Sequence, residues 1–592
     1  MQPDDATASR TDPYFLAVAR GDAAADLVLT GGRVLNVFRR AFEHASVAVY
    51  RGRIAAVVAA EHPQPDARER LDCSGLAIAP GFIDAHMHVE STMLPPTRFA
   101  RLALPHGTTA AVFDPHEIAN VLGEAGIRWI VDDAERAPFD ARFGLSSCVP
   151  SAPLETAGAE LDADALERLF DDPRLARRVV ALAEMMNFPG VVNAAPGVLA
   201  KVALGLARSL VDGHAPGLSG RALQTYVAAG VSSDHECTTA DEASEKLALG
   251  MRIFIREGSA AKNLDALASL VTEADAHRFC FCTDDRHPSD LRDEGHIDHV
   301  VRKAIRAGVR PETALCIGSH HTAEHYRLTD MGAVAPGMLA NFVLLDDVDS
   351  VRVMKTFHRG VVVAEAGEPC FETPDLAPWP EAPVRLPTGF GPASLRIAHA
   401  GADTPTIRVI GMHPDQLVTD SLQLEATVRD GALVADPQRD ILKLAVVERH
   451  RGAGNVGLGF VKNFRFQGGA IASTVGHDAH NLAIVGDDDD DMTIAAEALA
   501  HAGGGQCVVA QGELVALLPL PIAGLMSDQP PEHVIRLQAE LLHAAAERLG
   551  CPHHDPFMPL SFLPLPVIPS LKLTDLGLVD VARFEPTSLV VG

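Results

Sequence analysis

The sequence predicts an α/β protein built on a (β/α)8 barrel, with a small β-sandwich beside the barrel and an additional C-terminal β-rich α+β domain. Eight short apolar runs alternate with helix-like segments between residues 81 and 285. Strand–helix alternation indicates a parallel sheet, and eight units favour a closed barrel. Short β-branched stretches broken by glycine lie on both sides of this region and predict a second, smaller sheet.

The domain boundaries follow from these patterns. The flanking stretches are expected to join in one β-sandwich, and a proline-rich stretch after them is predicted to be a linker. In chain order the predicted parts are the sandwich 1–78, the barrel 79–330, the returning sandwich 331–368, the linker 369–392 and the C-terminal domain 393–592. A doubly wound open sheet is the rival architecture, but no GxGxxG motif follows the first predicted strand, which argues against its dinucleotide-binding form.

Composition restricts the class of protein. The 592 residues carry a formal net charge of −28, which argues against nucleic acid or anionic membranes as partners because phosphate-binding surfaces are normally basic. No apolar run reaches the roughly 18 residues of a membrane span. The nine cysteines include no CxxC pair, and the first residues show no signal-peptide pattern, so we expect a reduced, cytoplasmic protein.

Histidines and acids fall at the ends of the predicted strands, where (β/α)8 barrels carry their chemistry. The six residues concerned are His86, His88, Glu184, His214, His235 and Asp284. Side chains two apart on a strand point to the same side, so His86 and His88 can hold one ion together. Imidazole and carboxylate ligands favour Zn, Mn or Fe over Mg or Ca. The pattern therefore predicts a metal-dependent barrel.

Six ligands exceed the three that the protein gives to a single catalytic zinc, so we expect two divalent transition-metal ions (Mn, Fe or Zn). Glu184 can bridge them, and a water between the ions would lose a proton near neutral pH and become a nucleophile. Asp284 can ligate one ion and shuttle that proton. Taken singly, each histidine could be structural and Glu184 could pair with a lysine inside the barrel. Their common place at strand ends favours the metal centre.

Many segments resemble the amidohydrolase superfamily and, within it, the bacterial-type adenine deaminases. They extend over nearly the whole chain and include PGFIDAHMHVEST, GTTAAVFDPHEIANVLG, EMMNFPGV, DGHAPGLSG, SDHECTT, CFCTDDRHPSDL, GNVGLGFVKNF and GAIASTVGHDAHN. The resemblance implies a two-metal barrel that hydrolyses adenine to hypoxanthine and ammonia. It also implies that Glu184 stands where many relatives have a carboxylated lysine. It assigns His86, His88 and Asp284 to one ion, and His214 and His235 to the other.

A purine has nitrogens on every edge, so its recognition requires both donors and acceptors. Glu90, two residues after His88, is expected to face the substrate and is a second candidate for catalysis beside Asp284. The other candidates for substrate binding are Asp114, His116, Glu117 and Asp285. Asp114 or His116 could instead cap the helix that contains EIANVLG.

Other functions remain open at this point. Another amidohydrolase, such as a guanine deaminase or a cyclic amidase, is the first alternative, although the long C-terminal domain and Glu184 argue against a cyclic amidase. A non-catalytic barrel scaffold should have lost ligands, and all six are present. His477, Asp478 and His480 are either structural or an extra site at the barrel mouth. We expect a homo-oligomer, such as a dimer.

Overall fold

The computed structural model describes residues 7–401, 404–413 and 416–591. Its first elements are one helix and six strands: α1 Pro13–Arg20, β1 Ala25–Thr30, β2 Arg33–Asn36, β3 Ala41–Tyr50, β4 Arg53–Ala59, β5 Ala67–Asp72 and β6 Ala77–Pro80. Asp12 caps α1 by accepting a hydrogen bond from the amide of Tyr14. Gly21 ends α1 at a φ of 84°, a left-handed conformation that glycine adopts without strain.

A strand lies in each of the eight apolar runs that the sequence predicts to be strands. They are β7 Phe82–Met87, β8 Thr108–Phe113, β9 Asp140–Leu145, β10 Val179–Met185, β11 Val211–Gly213, β12 Ser233–Asp234, β13 Arg252–Arg256 and β14 Phe279–Cys282. The first five form one parallel sheet, in the order β11-β10-β9-β8-β7, and the last three form another, in the order β12-β13-β14. Isolated parallel bridges, Val211 to Val231 and Met87 to Asp284, join the two sheets at both edges.

Helices connect and cover these strands. They are α2 Pro96–Ala103, α3 His116–Leu122, α4 Glu124–Ala134, α5 Ala163–Phe170, α6 Phe188–Val192, α7 Pro196–Arg208, α8 Gly220–Ala228, α9 Ala240–Ala248, α10 Leu264–Leu267, α11 Pro288–Asp293, α12 Ile297–Arg306, α13 Pro311–Cys316 and α14 Thr322–His325. Every residue of β7 and β8 is buried, as in parallel sheets covered on both faces. The prediction of a mixed α/β protein with parallel strands is therefore confirmed.

Four strands after α14 return to the first sheet: β15 Phe342–Leu345, β16 Val353–His358, β17 Val361–Glu365 and β18 Glu368–Pro369. β15 pairs antiparallel with β6, so strands from both sides of the central region share one ten-stranded sheet. Among the described residues, no helix is both long and apolar enough to cross a bilayer.

Among its described residues, the C-terminal part contains three α-helices and many strands. The strands are β19 Ile397–Ala398, β20 Thr406–Met412, β21 Thr419–Glu425, β22 Thr427–Arg429, β23 Ala432–Val434, β24 Ile441–Val447, β25 Val456–Lys462, β26 Gly469–Ser473, β27 Leu482–Gly486, β28 Gly505–Ala510, β29 Glu513–Pro519, β30 Leu571–Thr574, β31 Gly577–Asp580 and β32 Glu585–Pro586. The helices are α15 Asp489–Ala502, α16 Pro531–Leu549 and α17 Phe557–Phe562. Eight strands form the main sheet, in the order β21-β20-β25-β24-β27-β26-β28-β29, against which α15 and α16 pack.

The C-terminal part packs beside the carboxyl end of β7. Met93 and Leu94, which follow that strand, lie in one apolar cluster with Leu518, Leu520 and Val534. The amide of Ser527 donates a hydrogen bond of 2.9 Å to the carbonyl of Met93. Buried apolar contact of this kind fixes the C-terminal part next to the strand ends, where the candidate ligands lie.

Candidate metal centre and active site

Six side chains meet at the carboxyl ends of the parallel strands. They are the six predicted ligands: His86 in β7, His88 after it, Glu184 in β10, His214 after β11, His235 after β12 and Asp284 after β14. Five are buried and His214 is half-buried. The rings of His86 and His235 stack with centroids 4.2 Å apart, and those of His86 and His88 meet at 4.8 Å. The parallel strands thus bring together residues that are far apart in the chain.

The carboxylate of Glu184 lies between the histidines. Its Oε1 is 3.4 Å from His88 Nε2. Its Oε2 is 2.6 Å from His214 Nδ1 and 3.2 Å from His235 Nε2. Burial alone would raise the pKa of Glu184, but the charge of His214 and hydrogen bonds with the neighbouring imidazoles hold that pKa well below its ordinary value. Each oxygen therefore faces a different group of imidazoles and carries negative charge that could ligate a metal ion.

Asp284 lies on the other side of the cluster. Its Oδ1 is 3.4 Å from His86 Nε2 and 3.1 Å from His88 Nε2, and its Oδ2 is 2.5 Å from Arg256 Nη1. The backbone of Asp284 has a φ of 59°, which is uncommon for a residue with a Cβ. Its amide donates to the carbonyl of His86, and its carbonyl accepts from the amide of His88. These bonds hold the strained residue against β7, as is frequent at functional sites.

The cluster fits divalent transition-metal ions. His86 Nε2 and His235 Nε2 are buried without a hydrogen-bond partner among the described residues. Leaving such groups unsatisfied costs about 1–3 kcal/mol each, and an ion between them and the carboxylates would satisfy them. The sets His86–Glu184–His235 and His86–His88–Asp284 each have their ligand atoms within 4.8 Å of one another. Imidazole mixed with carboxylate is the donor set of Zn, Mn and Fe.

The predicted substrate-binding acids border this cluster. Glu90 accepts a hydrogen bond of 3.1 Å from the amide of Ile118. The hydroxyl of Ser91 lies 3.0 Å from Glu117 Oε1 and 2.5 Å from Asp285 Oδ1. A hydroxyl has one hydrogen to donate, so Ser91 can donate a full hydrogen bond to only one of these two carboxyl groups at a time. Burial, followed by the charge of Glu90, raises the pKa of Glu117 well above its ordinary value.

Asp114 and His116 lie on the same rim. Asp114 Oδ1 accepts a hydrogen bond of 2.9 Å from Ser146, and the carbonyl of Asp114 is 2.9 Å from His88 Nδ1. A partner at the second ring nitrogen fixes the orientation of a metal-ligating histidine. The helix α3 begins at His116 without a side-chain cap, so the capping alternative does not apply to Asp114. His116 Nδ1 is 3.2 Å from Glu184 Oε1.

Comparison with known proteins assigns two parts of the chain to known families. Residues 77–363 match the amidohydrolase family, and residues 416–585 match the adenine deaminase C-terminal domain. The adenine deaminase of Desulfatibacillum aliphaticivorans is 47% identical over 98% of this chain and 99% of that protein. The adenine deaminase of Nitratidesulfovibrio vulgaris is 46% identical over 97% and 98%, and adenine deaminase 2 of Carboxydothermus hydrogenoformans is 45% identical over 97% and 99%. The chain belongs to the adenine deaminase family. The resemblance seen in the sequence is confirmed.

Two further charged residues of this family member join the cluster and were missed in the sequence. Arg256, at the end of β13, is buried; its Nη1 contacts both Asp284 and Glu236, and its Nη2 is 3.2 Å from Glu236 Oε2. Glu236 Oε1 is 3.5 Å from His235 Nε2. Glu236 directly follows the predicted strand GVSSDH, and this position is a signal that could have found it. Arg256 lies inside the predicted strand MRIFIREGS, where its charge among apolar residues is the corresponding signal.

The C-terminal part of the protein reaches the same rim. His477 Nδ1 is 3.5 Å from Glu117 Oε1, and Asp478 Oδ1 is 3.7 Å from His116 Nε2. His480 instead faces its own loop, where its Nδ1 accepts a hydrogen bond from the amide of Gly476. The sequence left the role of these histidines open, and the structure places His477 and Asp478 beside the predicted substrate residues.

Proposed function

We propose that this protein hydrolyses adenine to hypoxanthine and ammonia. The observation that carries this proposal is the convergence of six metal-type ligands at the strand ends of a chain whose relatives over nearly its full length are named adenine deaminases. The match to the adenine deaminase C-terminal domain favours adenine over the guanine deaminase and cyclic amidase alternatives. A complete ligand set argues against a non-catalytic scaffold.

The fold proposal extends the observed sheets. We propose that the two parallel sheets close into a single (β/α)8 barrel, because the bridges at Val211 and Met87 join them at both edges. The ten-stranded sheet would supply the small β-sandwich, and the residues from β19 onward would form the α+β domain. The domain boundaries, a homodimer and a cytoplasmic location stay predictions of the sequence.

The six candidate ligands at the strand ends are proposed to hold two divalent transition-metal ions, Mn, Fe or Zn. His86, His88 and Asp284 would ligate one ion, His214 and His235 would ligate the other, and Glu184 would bridge them. When bound, such ions lower the pKa of a coordinated water to about 7. The two oxygens of Glu184 suit this bridging role because they face different histidines.

The protein residues then have to move one proton and hold the ring. Hydrolysis forms a C6–O bond and breaks the bond between C6 and the amino nitrogen. Asp284 is proposed to take the proton from the attacking water and to pass it to that nitrogen, which leaves as ammonia. Its contact with Arg256 fixes the orientation of the carboxylate. Burial raises the pKa of Asp284, but the charge of Arg256 and the histidines outweigh this and lower that pKa well below its ordinary value.

The rim acids are proposed to bind the base. Glu90 Oε2, Asp114 Oδ2 and Glu117 Oε2 are buried without a hydrogen-bond partner among the described residues. Adenine carries N–H donors on its amino group and on its five-membered ring, which such oxygens can accept. The pairing would remove the cost of the unsatisfied oxygens. His116 and Asp285 border the same space and complete the proposed substrate site.

Ammonia release from adenine, guanine and adenosine by the metal-loaded protein tests this proposal. We expect adenine to have the largest kcat/KM. A larger kcat/KM for adenosine or guanine would overturn the assignment of the substrate. No ammonia from any of the three would overturn the deaminase function itself.

A further inference from the structure

The strands that lead to His214 and His235 are the shortest of the eight parallel strands. β11 has three residues and β12 has two, whereas β14 has four and β10 has seven. Val211 and Val231 form an isolated bridge between the two short strands, several residues before either ligand. Regular pairing between β11 and β12 therefore does not extend to these histidines, and side chains have to fix the strand ends.

Asp234 joins the two strand ends. It directly precedes His235 in the chain and is fully buried. Its Oδ1 accepts a hydrogen bond of 3.0 Å from the amide of Ala215, the residue directly after His214. The same oxygen lies 3.4 Å from the amide of Glu236, directly after His235. One carboxylate oxygen thus contacts the backbone next to both ligands.

The ammonium group of Lys246, in α9, completes this junction and is also fully buried. Its Nζ lies 2.5 Å from Asp234 Oδ2 and 2.7 Å from the carbonyl oxygen of Ala215. It lies 2.7 Å from Glu242 Oε1 as well. An ammonium group has three hydrogens to donate, so these three acceptors use all of them. Ala215 is therefore held at its amide by Asp234 and at its carbonyl by Lys246.

Glu242 extends the junction to the loops that follow both strands. It stands four residues before Lys246, on the same face of α9. The amide of Gly217, after β11, donates a hydrogen bond of 2.8 Å to Glu242 Oε1. The amide of Thr238, after β12, donates one of 3.2 Å to Glu242 Oε2. The helix α9 thus fixes the backbone beyond each of the two strands through one cluster of charged side chains.

We propose that Lys246 is a positioning residue that holds His214 and His235 at the separation that one metal ion requires. It acts through Asp234 and through the backbone of Ala215. The inference rests on the proposed two-ion centre, in which these two histidines ligate the same ion. Lys246 should therefore affect that ion and leave the ion assigned to β7 and the end of β14 unaffected.

The test measures the dissociation constants of both Mn ions, by competition with a chelator, in the wild type and in the variants Lys246→Met and Asp234→Asn. Methionine removes the ammonium group but keeps a long side chain. Asparagine leaves Lys246 paired with Glu242, so this variant leaves no buried charge unpaired. Groups that orient metal ligands contribute roughly 10- to 100-fold to metal affinity. We expect each variant to weaken one ion by that factor and to leave the other unchanged.

A second set of variants identifies the ion that is affected. His214→Ala should abolish the ion that this histidine ligates, and adding Lys246→Met to it should leave the dissociation constant of the remaining ion unchanged. Lys443→Met is the matched control. Lys443 is buried in β24, where it donates to the carbonyl of Leu395 over 2.9 Å and pairs with Asp489. Its loss should change neither dissociation constant.

Two unchanged dissociation constants in Lys246→Met and Asp234→Asn, with only a lower Tm, would overturn the inference and leave Lys246 a structural role. Equal weakening of both ions would also overturn it, as would a weaker remaining ion when Lys246→Met is added to His214→Ala. If one of the two single variants does not fold, the other decides the outcome. A wild type that binds fewer than two ions would contradict the proposed centre instead, before any variant is measured. Failure to deaminate adenine would contradict the proposed substrate alone, because these measurements use metal and no substrate.

Discussion

The parallel strands and the C-terminal part reach the same rim by different structural means. In the parallel sheets, the candidate ligands stand at the ends of neighbouring strands, as His86 does in β7 and Glu184 in β10. On the C-terminal side, His477 and Asp478 stand on a loop between β26 and β27. That loop is fixed by side chains such as Arg449 rather than by a sheet ladder.

This difference indicates separate roles for the strand ends and for the loop. Strand ends give positions that are reproducible within a fraction of an ångström, which ligation of an ion demands. A loop can change its side chains without disturbing the strands, so it is suited to selecting the substrate. We therefore expect changes at the strand ends to abolish chemistry, and changes in the loop to alter selectivity or stability.

The largest effect is expected for Asp284→Asn, at the end of β14. The amide keeps the size of the side chain and can still ligate weakly, but it cannot accept the proton. General acid–base catalysis contributes typically 10²–10⁴-fold, so kcat should fall by roughly that factor or more. Metal content and kcat are measured together. A variant that keeps both ions and most of its rate would remove Asp284 from proton transfer and leave Glu90 or Asp285 as the next candidates.

A smaller effect is expected for Arg256→Lys. Lysine keeps the charge but cannot donate to Glu236 and Asp284 in the forked geometry of arginine. Hydrogen bonds to charged groups contribute about 1.5–3 kcal/mol, so kcat should fall by roughly 10- to 100-fold. Steady-state kinetics with adenine test this. Arg292→Lys, whose side chain is exposed, is the control. Equal activity in both variants would mean that Arg256 does not position Asp284.

The smallest effect concerns stability on the C-terminal side. Burial, followed by the charge of Arg449, lowers the pKa of His450 from 6.5 to about 3 in the folded protein. Below pH 6.5 the unfolded chain binds a proton at His450 that the folded protein does not, so stability is present above pH 6.5 and is lost as the pH falls toward 3. The loss from this residue is about 1.4 kcal/mol per pH unit.

His450→Gln keeps a donor for the carbonyl of Ala479 but removes the titration. Urea unfolding at pH 7.5 and pH 5 should show a smaller loss of stability on acidification in this variant than in the wild type. The same loss in both proteins would mean that the buried neutral state of His450 does not contribute.

The grouping of the candidate ligands was predictable because two simple rules determine it. The period of two along a strand puts His86 and His88 on one side, and the common end of parallel strands gathers the others. The strand bounds were less accurate: the predicted run VVALAEMMNF extends to residue 188, whereas β10 ends at Met185. The turn after β10 follows from local packing, which the apolar pattern does not contain.

The remaining parts of the site depend on contacts between elements. Arg256 pairs with Asp284 and Glu236 because β12, β13 and β14 lie side by side, and no spacing rule specifies such a pair. His477 meets Glu117 only because the C-terminal part packs against the ends of the parallel strands. The motif around His477 could be noticed in the sequence, but its neighbour could not be derived from it.

A metal titration of the demetallated protein tests the central claim most directly. The protein would be stripped of metal with a strong chelator, and Mn, Fe or Zn would then be added while ammonia release from adenine is followed. We expect no activity without metal, a rise up to two equivalents of ion per chain, and no further rise beyond that. Full activity in the demetallated protein, or a plateau at one equivalent, would contradict a two-ion centre at the strand ends.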